Sequence, residues 1–504
     1  MLEEKLLENA ESDIYPFHMP GHKRRLTACD SYKIDITEIE DFDNLHHAQG
    51  ILKEAQEKAA RLYGSKKAYY LVNGSTCGIL AAVSAATRKR DKVIVARNSH
   101  KAVYNAIYLN ELIPTYVYSV ITDIGIQGQI STEAVQKAIE ETKDASVVII
   151  TSPTYDGISS DIVQIAELAH ANDMTLIVDS AHGAHFGFGY GMPENVIKQG
   201  ADIVIESVHK TLPAYTQTAL LHLCSDRVSP EAIEKYLDIY ETSSPSYVLM
   251  AGIERCIDMV AEQKDQLFDT LQHNLDVFYD KLSELKHLKV LTKADLKADE
   301  AFDFDRSKII ILTDGAGMSG QDMWDILLQK YHIQIEMAAG NYAVALSSVM
   351  DTEEGFDRLA EALADIDSDI EREKLMDKVV DEGKYSKHIV NAEIYHPNKR
   401  HFEIFEAEEG YKPQCKYEAE EAYKPQGSCE VKPENRLHTV QVPLDEAAGQ
   451  VSASYINLYP PGIPLIVPGE IISPRLVKDL KTIIKLNLEL QGLTENNFIT
   501  ILKG

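Results

Sequence analysis

A chain of 504 residues is too long for one compact core, and 44% hydrophobic with 26% charged residues is the composition of a globular protein of two or three domains. A formal net charge of −29 excludes the basic surface that phosphate backbones require, so no nucleic-acid partner is expected. Six cysteines without a CxxC pair exclude a disulfide framework and a zinc site. No stretch reaches the roughly 18 apolar residues of a membrane span, so neither a membrane partner nor any but a cytoplasmic location is predicted.

In chain order, residues 1 to about 13 read as a short acidic amphipathic helix with no apolar core for a signal peptide. Tyr15 to Arg25 is rich in Pro, Gly, His and basic residues and predicts no regular structure. An acidic run, Ile34 to Asp43, precedes His46 and His47, whose adjacent side chains diverge, with no third residue at ligand spacing; no metal is expected. A helix follows from about Gly50 to Tyr63, then a strand from Tyr69 to Val72. That strand runs into Asn73, Gly74, Ser75 and Thr76, with an apolar helix from about Cys77. Glycine allows close backbone approach and a helix N-terminus offers free N–H groups, so this turn suits a phosphate. Ser or Thr there is also an ordinary helix cap, and the dinucleotide and Walker A patterns are absent.

Strands then alternate with helices. Lys92 to Ala96 ends at Asn98, Ser99 and His100, and Ser146 to Ile150 ends at Thr151 to Tyr155. A helix of about Asp161 to Ala171 leads to the strand Thr175 to Val178, which ends in Asp179, Ser180, Ala181, His182 and Gly183. The strand Ile203 to Ile205 breaks into Ser207, Val208, His209, Lys210 and Thr211 before Pro213. This spacing predicts an α/β fold with a mainly parallel sheet and its ligand site at the carboxyl ends of the strands. Thr218 to Leu223 reads as a further strand, and Ser243 to Tyr247 as a polar turn before a long helix, about Val248 to Leu285. A strand at 308–313, a helix Asp322 to Tyr331, strands near Ile333 to Met337 and Ala343 to Ser347, and a helix Glu353 to Ile366 make a smaller α+β unit. EAEEGYKPQ (406–414) recurs as EAEEAYKPQ (418–426), which reads as a mobile acidic insertion. A proline-punctuated loop at 459–470 and a helix of about Ser473 to Leu490 close the chain. The expected organisation is an N-terminal arm (1–60), a large domain (61–300), a small α+β domain (301–390) and a C-terminal domain (391–504) carrying the acidic insertion at about 403–430.

The strand ends offer an anion cradle, a carboxylate, imidazoles and a lysine. Pyridoxal 5'-phosphate (PLP) needs those groups: an anion site, a carboxylate that keeps the pyridine nitrogen protonated, and a lysine that forms an aldimine. The residues assign Asp179 to the ring nitrogen, Lys210 to the aldimine, Gly74, Ser75, Thr76 and Ser207 to the phosphate, and His100 to the ring face.

The motifs HMPGHK (18–23), DITEIEDFDNLHH (35–47), NGSTCG (73–78), NSHKAV (98–103), DSAHGAHF (179–186), SVHKTLPAYTQ (207–217), SSPSY (243–247) and YPPGIPLIVPGE (459–470) stand in one order along the chain. Together they resemble the fold-type I PLP-dependent ornithine/lysine/arginine decarboxylases, in particular the short bacterial form without an N-terminal wing domain. The resemblance implies a PLP-binding large domain, and decarboxylation of a basic L-amino acid, lysine or arginine before ornithine, to cadaverine, agmatine or putrescine. It implies Lys210 as aldimine lysine, Asp179 as ring-nitrogen partner, His182 close to the cofactor, and His209 or Lys210 as the donor of the proton to Cα. It also implies a homodimer with the site at the subunit interface, and Glu38 and Glu470 as partners of the substrate's cationic end. The acidic insertion departs from the pattern. Two other readings stand beside this one: a different fold-type I PLP reaction, aminotransfer or elimination, and a non-catalytic binding module. Intact Lys210 and Asp179 speak against the latter, and the motifs lack an obvious arginine of the kind that holds an aminotransferase substrate's carboxylate.

Overall fold

The computed structural model describes residues 12–25, 31–382, 439–458, 463–485, 490–494 and 497–502. The chain divides into two compact units, Met1–Asn398 and Lys399–Gly504.

The first unit is organised on a seven-stranded sheet. Its strands run in the order Lys67–Leu71, Ala219–Leu223, Ile203–Glu206, Thr175–Asp179, Ala145–Thr151, Lys92–Ala96, Ile113–Val117. From Ile203–Glu206 to Ile113–Val117 every pairing is parallel, and only Ala219–Leu223 runs antiparallel to its neighbours. The central strands are unbroken apolar runs because both faces are covered. Val148 and Ile150 join one core cluster while Val147 and Ile149 join another, the two-residue alternation of a strand buried on both sides. Polar residues are confined to the ends of these runs, with Lys92, Ser146 and Thr175 at the amino ends and Thr151, Asp179 and Glu206 at the carboxyl ends.

A second, antiparallel sheet follows in the same unit. Its order is Lys289–Val290, Lys308–Leu312, Tyr342–Leu346, Met337–Ala338. The long helix before it, Tyr247–Lys281, is capped by the Ser246 hydroxyl, which accepts the Leu249 N–H. The helix starting at Glu353 does not end near Ile366 but continues to Glu382.

The N-terminal arm is the main departure from the expectation of irregular structure. Tyr15–Phe17 is a strand, paired in parallel with Ile333–Ile335, and Phe17 is fully buried. Local composition hid it because the pairing partner lies more than three hundred residues away. The HMPGHK segment then straps the two sheets together. Gly21 donates its N–H to the His209 carbonyl at 2.9 Å, and its own carbonyl accepts the Ser348 hydroxyl at 2.6 Å. Buried Lys23 donates to the Leu346 carbonyl at 2.5 Å and faces Asp351 at 3.8 Å.

In the second unit, Thr439–Pro443 pairs antiparallel with Phe498–Leu502. Ile463–Ile466, Ile456–Leu458 and Leu490–Gln491 form a three-stranded sheet. The helix Pro474–Lys485 turns Leu476, Val477, Leu480 and Ile483 into a core of its own. It stops before Leu490, which is a strand residue rather than the helix end expected from the sequence. The first turns of the expected N-terminal helix, the acidic repeat and 459–462 of the proline-punctuated loop lie outside the described residues. Among the described residues, no helix is long and apolar enough to cross a membrane.

A methyl group at Gly21 would meet the Leu212 carbonyl oxygen at 2.8 Å and the Thr211 carbonyl carbon at 2.9 Å. Both are backbone atoms of the lysine loop and neither can swing away. Gly21→Ala is therefore expected to lower stability by roughly 1–3 kcal/mol, measured as a lower urea midpoint; an unchanged midpoint would show that the strap does not hold the loop.

Candidate functional site

Lys210 lies in a single helical turn, Val208–Thr211, directly after the strand Ile203–Glu206. Its backbone N–H bonds the Ser207 carbonyl at 3.1 Å, so the turn is closed on the strand's last residues. Asp179, the last residue of the neighbouring strand, pairs in register with Ile205 and is 3% exposed. Its Oδ1 accepts the Ala181 N–H at 3.2 Å. Burial raises its carboxyl above the usual range, while Lys210 and that N–H pull it back down.

His182 follows in the tight turn after Asp179 and occupies the centre of the site. Lys210 Nζ stands 3.0 Å from its Nε2, and Lys308 Nζ stands 2.8 Å from its Nδ1. Burial and the two lysines push the imidazole well below the ordinary histidine value, so the ring is neutral. The Tyr155 ring packs edge-on against it at 4.9 Å, and the Tyr155 hydroxyl donates to Glu336 at 2.8 Å. The other Glu336 oxygen accepts the Met19 N–H at 2.7 Å, which brings the N-terminal strap to the same place.

His100 caps the helix Lys101–Leu109, its Nδ1 accepting the Ala102 N–H at 3.2 Å. That bond leaves the proton on Nε2. His209 has the other tautomer, because Nδ1–H donates to the Thr218 carbonyl at 2.8 Å. Burial holds both imidazoles down to about 4. At the cradle, Gly74 opens the helix Gly74–Ala86 with φ +78°, a left-handed value that suits glycine. A Cβ there would stand 3.6 Å from the carbonyl oxygen of Gln217, and the Gln217 side chain in turn donates to the Val72 carbonyl. The lysine loop thus closes against the turn that carries Ser75 and Thr76.

The structure gathers Asp179, His182, His209, Lys210 and His100 into one site, for the charge of Lys210 acts on each of the other four. Glu38 lies beside Tyr247, whose phenol is raised by burial and by the Glu38 charge, while the carboxylates whose charge acts on Lys210 are Asp179 and Glu336. Glu470 belongs to the second unit, where its Oε2 accepts the Val467 N–H at 3.1 Å. Sequence reasoning missed Lys308, Glu336 and Tyr155. Lys308 opens the apolar run KIIILT, where a lysine reads as a solvent-facing strand start, yet it is 1% exposed.

These residues fit PLP. The Ser207 hydroxyl is fully buried and without a hydrogen-bond partner among the described residues, which is the condition of a group awaiting an anion. Asp179 is a buried carboxylate beside an amine, and the cradle admits an anion close to the backbone.

A family model described as "Orn/Lys/Arg decarboxylase, major domain" matches residues 2–310, and its C-terminal counterpart matches residues 410–496. An arginine decarboxylase of Bacillus subtilis is 28% identical over 97% of this chain and 94% of its own length. YaaO, an uncharacterised protein of the same organism, is 32% identical over 97% of this chain and 95% of its own. Among solved structures, the Francisella novicida lysine decarboxylase LdcF superposes with a TM-score of 0.69 at 20% identity, covering 92% of this chain and 73% of LdcF.

The two histidines held near 4 make stability depend on pH. Their folded values lie below the unfolded 6.5, so the unfolded chain takes up protons first as pH falls. Stability is complete above 6.5 and drains away from there towards about 4. In PLP-free protein, the urea midpoint is expected to drop between about pH 7 and pH 5, each histidine contributing on the order of 1–2 kcal/mol. His209→Gln should flatten that slope; an identical slope would mean that His209 carries its proton in the folded state.

Proposed function

The chain belongs to the Orn/Lys/Arg decarboxylase family, PLP-dependent carboxy-lyases of basic amino acids, and on that premise we propose that it removes the carboxylate of arginine or lysine, with ornithine third, through Lys210. The observation that carries this reading is Lys210 Nζ at 3.0 Å from a neutral imidazole and under the influence of the buried carboxylate Asp179. Arginine stands first because the B. subtilis relative that spans almost the whole chain acts on it.

When bound, PLP supplies the electron sink that accepts the pair left on Cα as CO2 departs. Lys210 would hold its aldehyde, Asp179 its ring nitrogen, His100 its ring face, and Gly74, Ser75, Thr76 and Ser207 its phosphate. The neutral state of His100, His182 and His209 keeps cationic hydrogen-bond donors away from the carboxylate that must leave. The Cα proton comes from Lys210 Nζ, or from His209 after its Nε2, the ring nitrogen left unprotonated by the bond to Thr218, has itself taken up the proton that the turnover consumes. Each turnover consumes one proton. By the resemblance, Glu38 and Glu470 pair with the substrate's cationic end. A homodimer belongs to the same proposal: Ile39 and Phe42 in the acidic segment are 50% and 43% exposed, apolar surface that a second subunit would cover.

Purified protein with PLP, offered arginine, lysine and ornithine separately, is expected to release CO2 with agmatine, or secondarily cadaverine. Lys210→Ala should lose both the product and the yellow absorption band. A yellow protein that releases no CO2 from any of the three overturns the decarboxylase reading, and a Lys210→Ala protein that keeps its band overturns the role of Lys210. Light scattering that finds a single chain would remove the dimer.

A further inference from the structure

Lys308 belongs to no sequence motif, yet its amine shares an imidazole with Lys210. Lys308 Nζ stands at His182 Nδ1 (2.8 Å) and Lys210 Nζ at His182 Nε2 (3.0 Å). A neutral imidazole has one N–H and one lone pair. Two ammonium groups, one at each ring nitrogen, would both require the lone pair. One of them would instead point a hydrogen at the ring N–H. An imidazolium between two ammonium groups would be worse still. The row Lys308–His182–Lys210 is therefore satisfied when one lysine is charged and the other accepts the ring N–H as a neutral amine.

The surroundings decide which lysine keeps the charge. Lys308 faces Asp305, Glu336 and Asp156, and its Nζ lies 5.6 Å from the centre of the Tyr155 ring. Asp305 is tied in turn to His185 at 3.1 Å and to the Ser307 hydroxyl at 2.6 Å. Lys210 faces Asp179 and Glu336, with His182, His100 and His209 around it as neutral rings. Burial lowers both lysines, Lys308 to about 8. Three carboxylates and an aromatic face favour charge on Lys308; two carboxylates act on Lys210.

We propose that Lys308 is a positioning residue that holds its ammonium on His182 Nδ1, so that His182 turns its Nε2–H towards Lys210 and leaves Lys210 an uncharged amine. An uncharged amine is the form that can capture an aldehyde. The same row can also pass a proton without separating charge. A proton moves from Lys308 Nζ to Nδ1 while the Nε2 proton moves to Lys210 Nζ, and the row carries one positive charge before and after. The inference rests on Lys210 as the cofactor lysine.

The test reads the proton affinity of Lys210 directly, apart from activity. Full-length protein freed of PLP with hydroxylamine is pulsed with acetic anhydride across a pH series, and acylation of the Lys210 peptide is followed by mass spectrometry. The expected Lys210 midpoint lies at least about one unit below that of the exposed lysines of the same protein. Lys308→Met should raise it by about one unit, a tenfold gain in proton affinity. Lys308→Arg, which stays protonated, should restore the low value. A wild-type midpoint in the exposed-lysine range overturns the proposal. So does a folded Lys308→Met protein with the wild-type midpoint, or a Lys308→Arg midpoint that rises like that of Lys308→Met, the mark of a purely structural role. Should Lys308→Met fail to fold, the wild-type and Lys308→Arg midpoints decide. Loss of the yellow band in Lys210→Ala is a separate measurement, so failure of the charge row and failure of the cofactor assignment are told apart.

Discussion

Desolvation of amines at the carboxyl edge of the large sheet is the constraint on which the site depends. An ammonium removed from water needs a compensating partner or gives up its proton. Around Lys210 the chain supplies neutral rings and two carboxylates rather than a dedicated ion-pair partner. That arrangement is poor for holding a fixed charge and suits the role proposed for Lys210. The remaining polar groups follow the same logic, since His100 and His209 are each fixed in one tautomer by a backbone contact instead of by a charge.

The sheet explains why these groups meet at all. Parallel strands buried on both faces leave no room for polar residues along their length, so the chemistry is displaced to their ends. Asp179 follows the apolar run Leu176–Val178 directly, Ser207 and Lys210 come within five residues of the run Ile203–Ile205, and the register Asp179↔Ile205 sets those two ends side by side. The antiparallel strand Ala219–Leu223 then returns beside the lysine strand, which lets the Gln217 and Thr218 backbone approach both the cradle and His209.

Such placement is legible in sequence because it is local. The alternation of apolar runs and helices announces the sheet, and Asp179, His182, His209 and Lys210 can be read as strand-end residues before any contact is known. What is not legible is carried by long-range contacts. The strand Tyr15–Phe17 exists only because Ile333–Ile335 offers it an edge, and its Pro- and Gly-rich neighbourhood hides it. Lys308 looks like the exposed first residue of a strand and is buried only because His182 and the carboxylates of other segments close over it. Glu336 sits between two short strands, where no periodicity marks a functional side chain.

Glu336 shows why the N-terminal arm belongs to the site as much as to the scaffold. Its carboxylate is held by the Met19 N–H and the Tyr155 hydroxyl, and its charge reaches both Lys210 and Lys308. Two residues later in the arm, Gly21 donates to the carbonyl of His209, the residue before Lys210. The arm therefore fixes a carboxylate on one side of the lysine and the lysine's own backbone on the other. A glycine is required at the closest approach, and a buried lysine, Lys23, anchors the segment to the end of the second sheet. Met19, Gly21 and Lys23 of the HMPGHK motif are thus accounted for by geometry: together they tie the large sheet's lysine loop to the small sheet that brings Lys308 and Glu336.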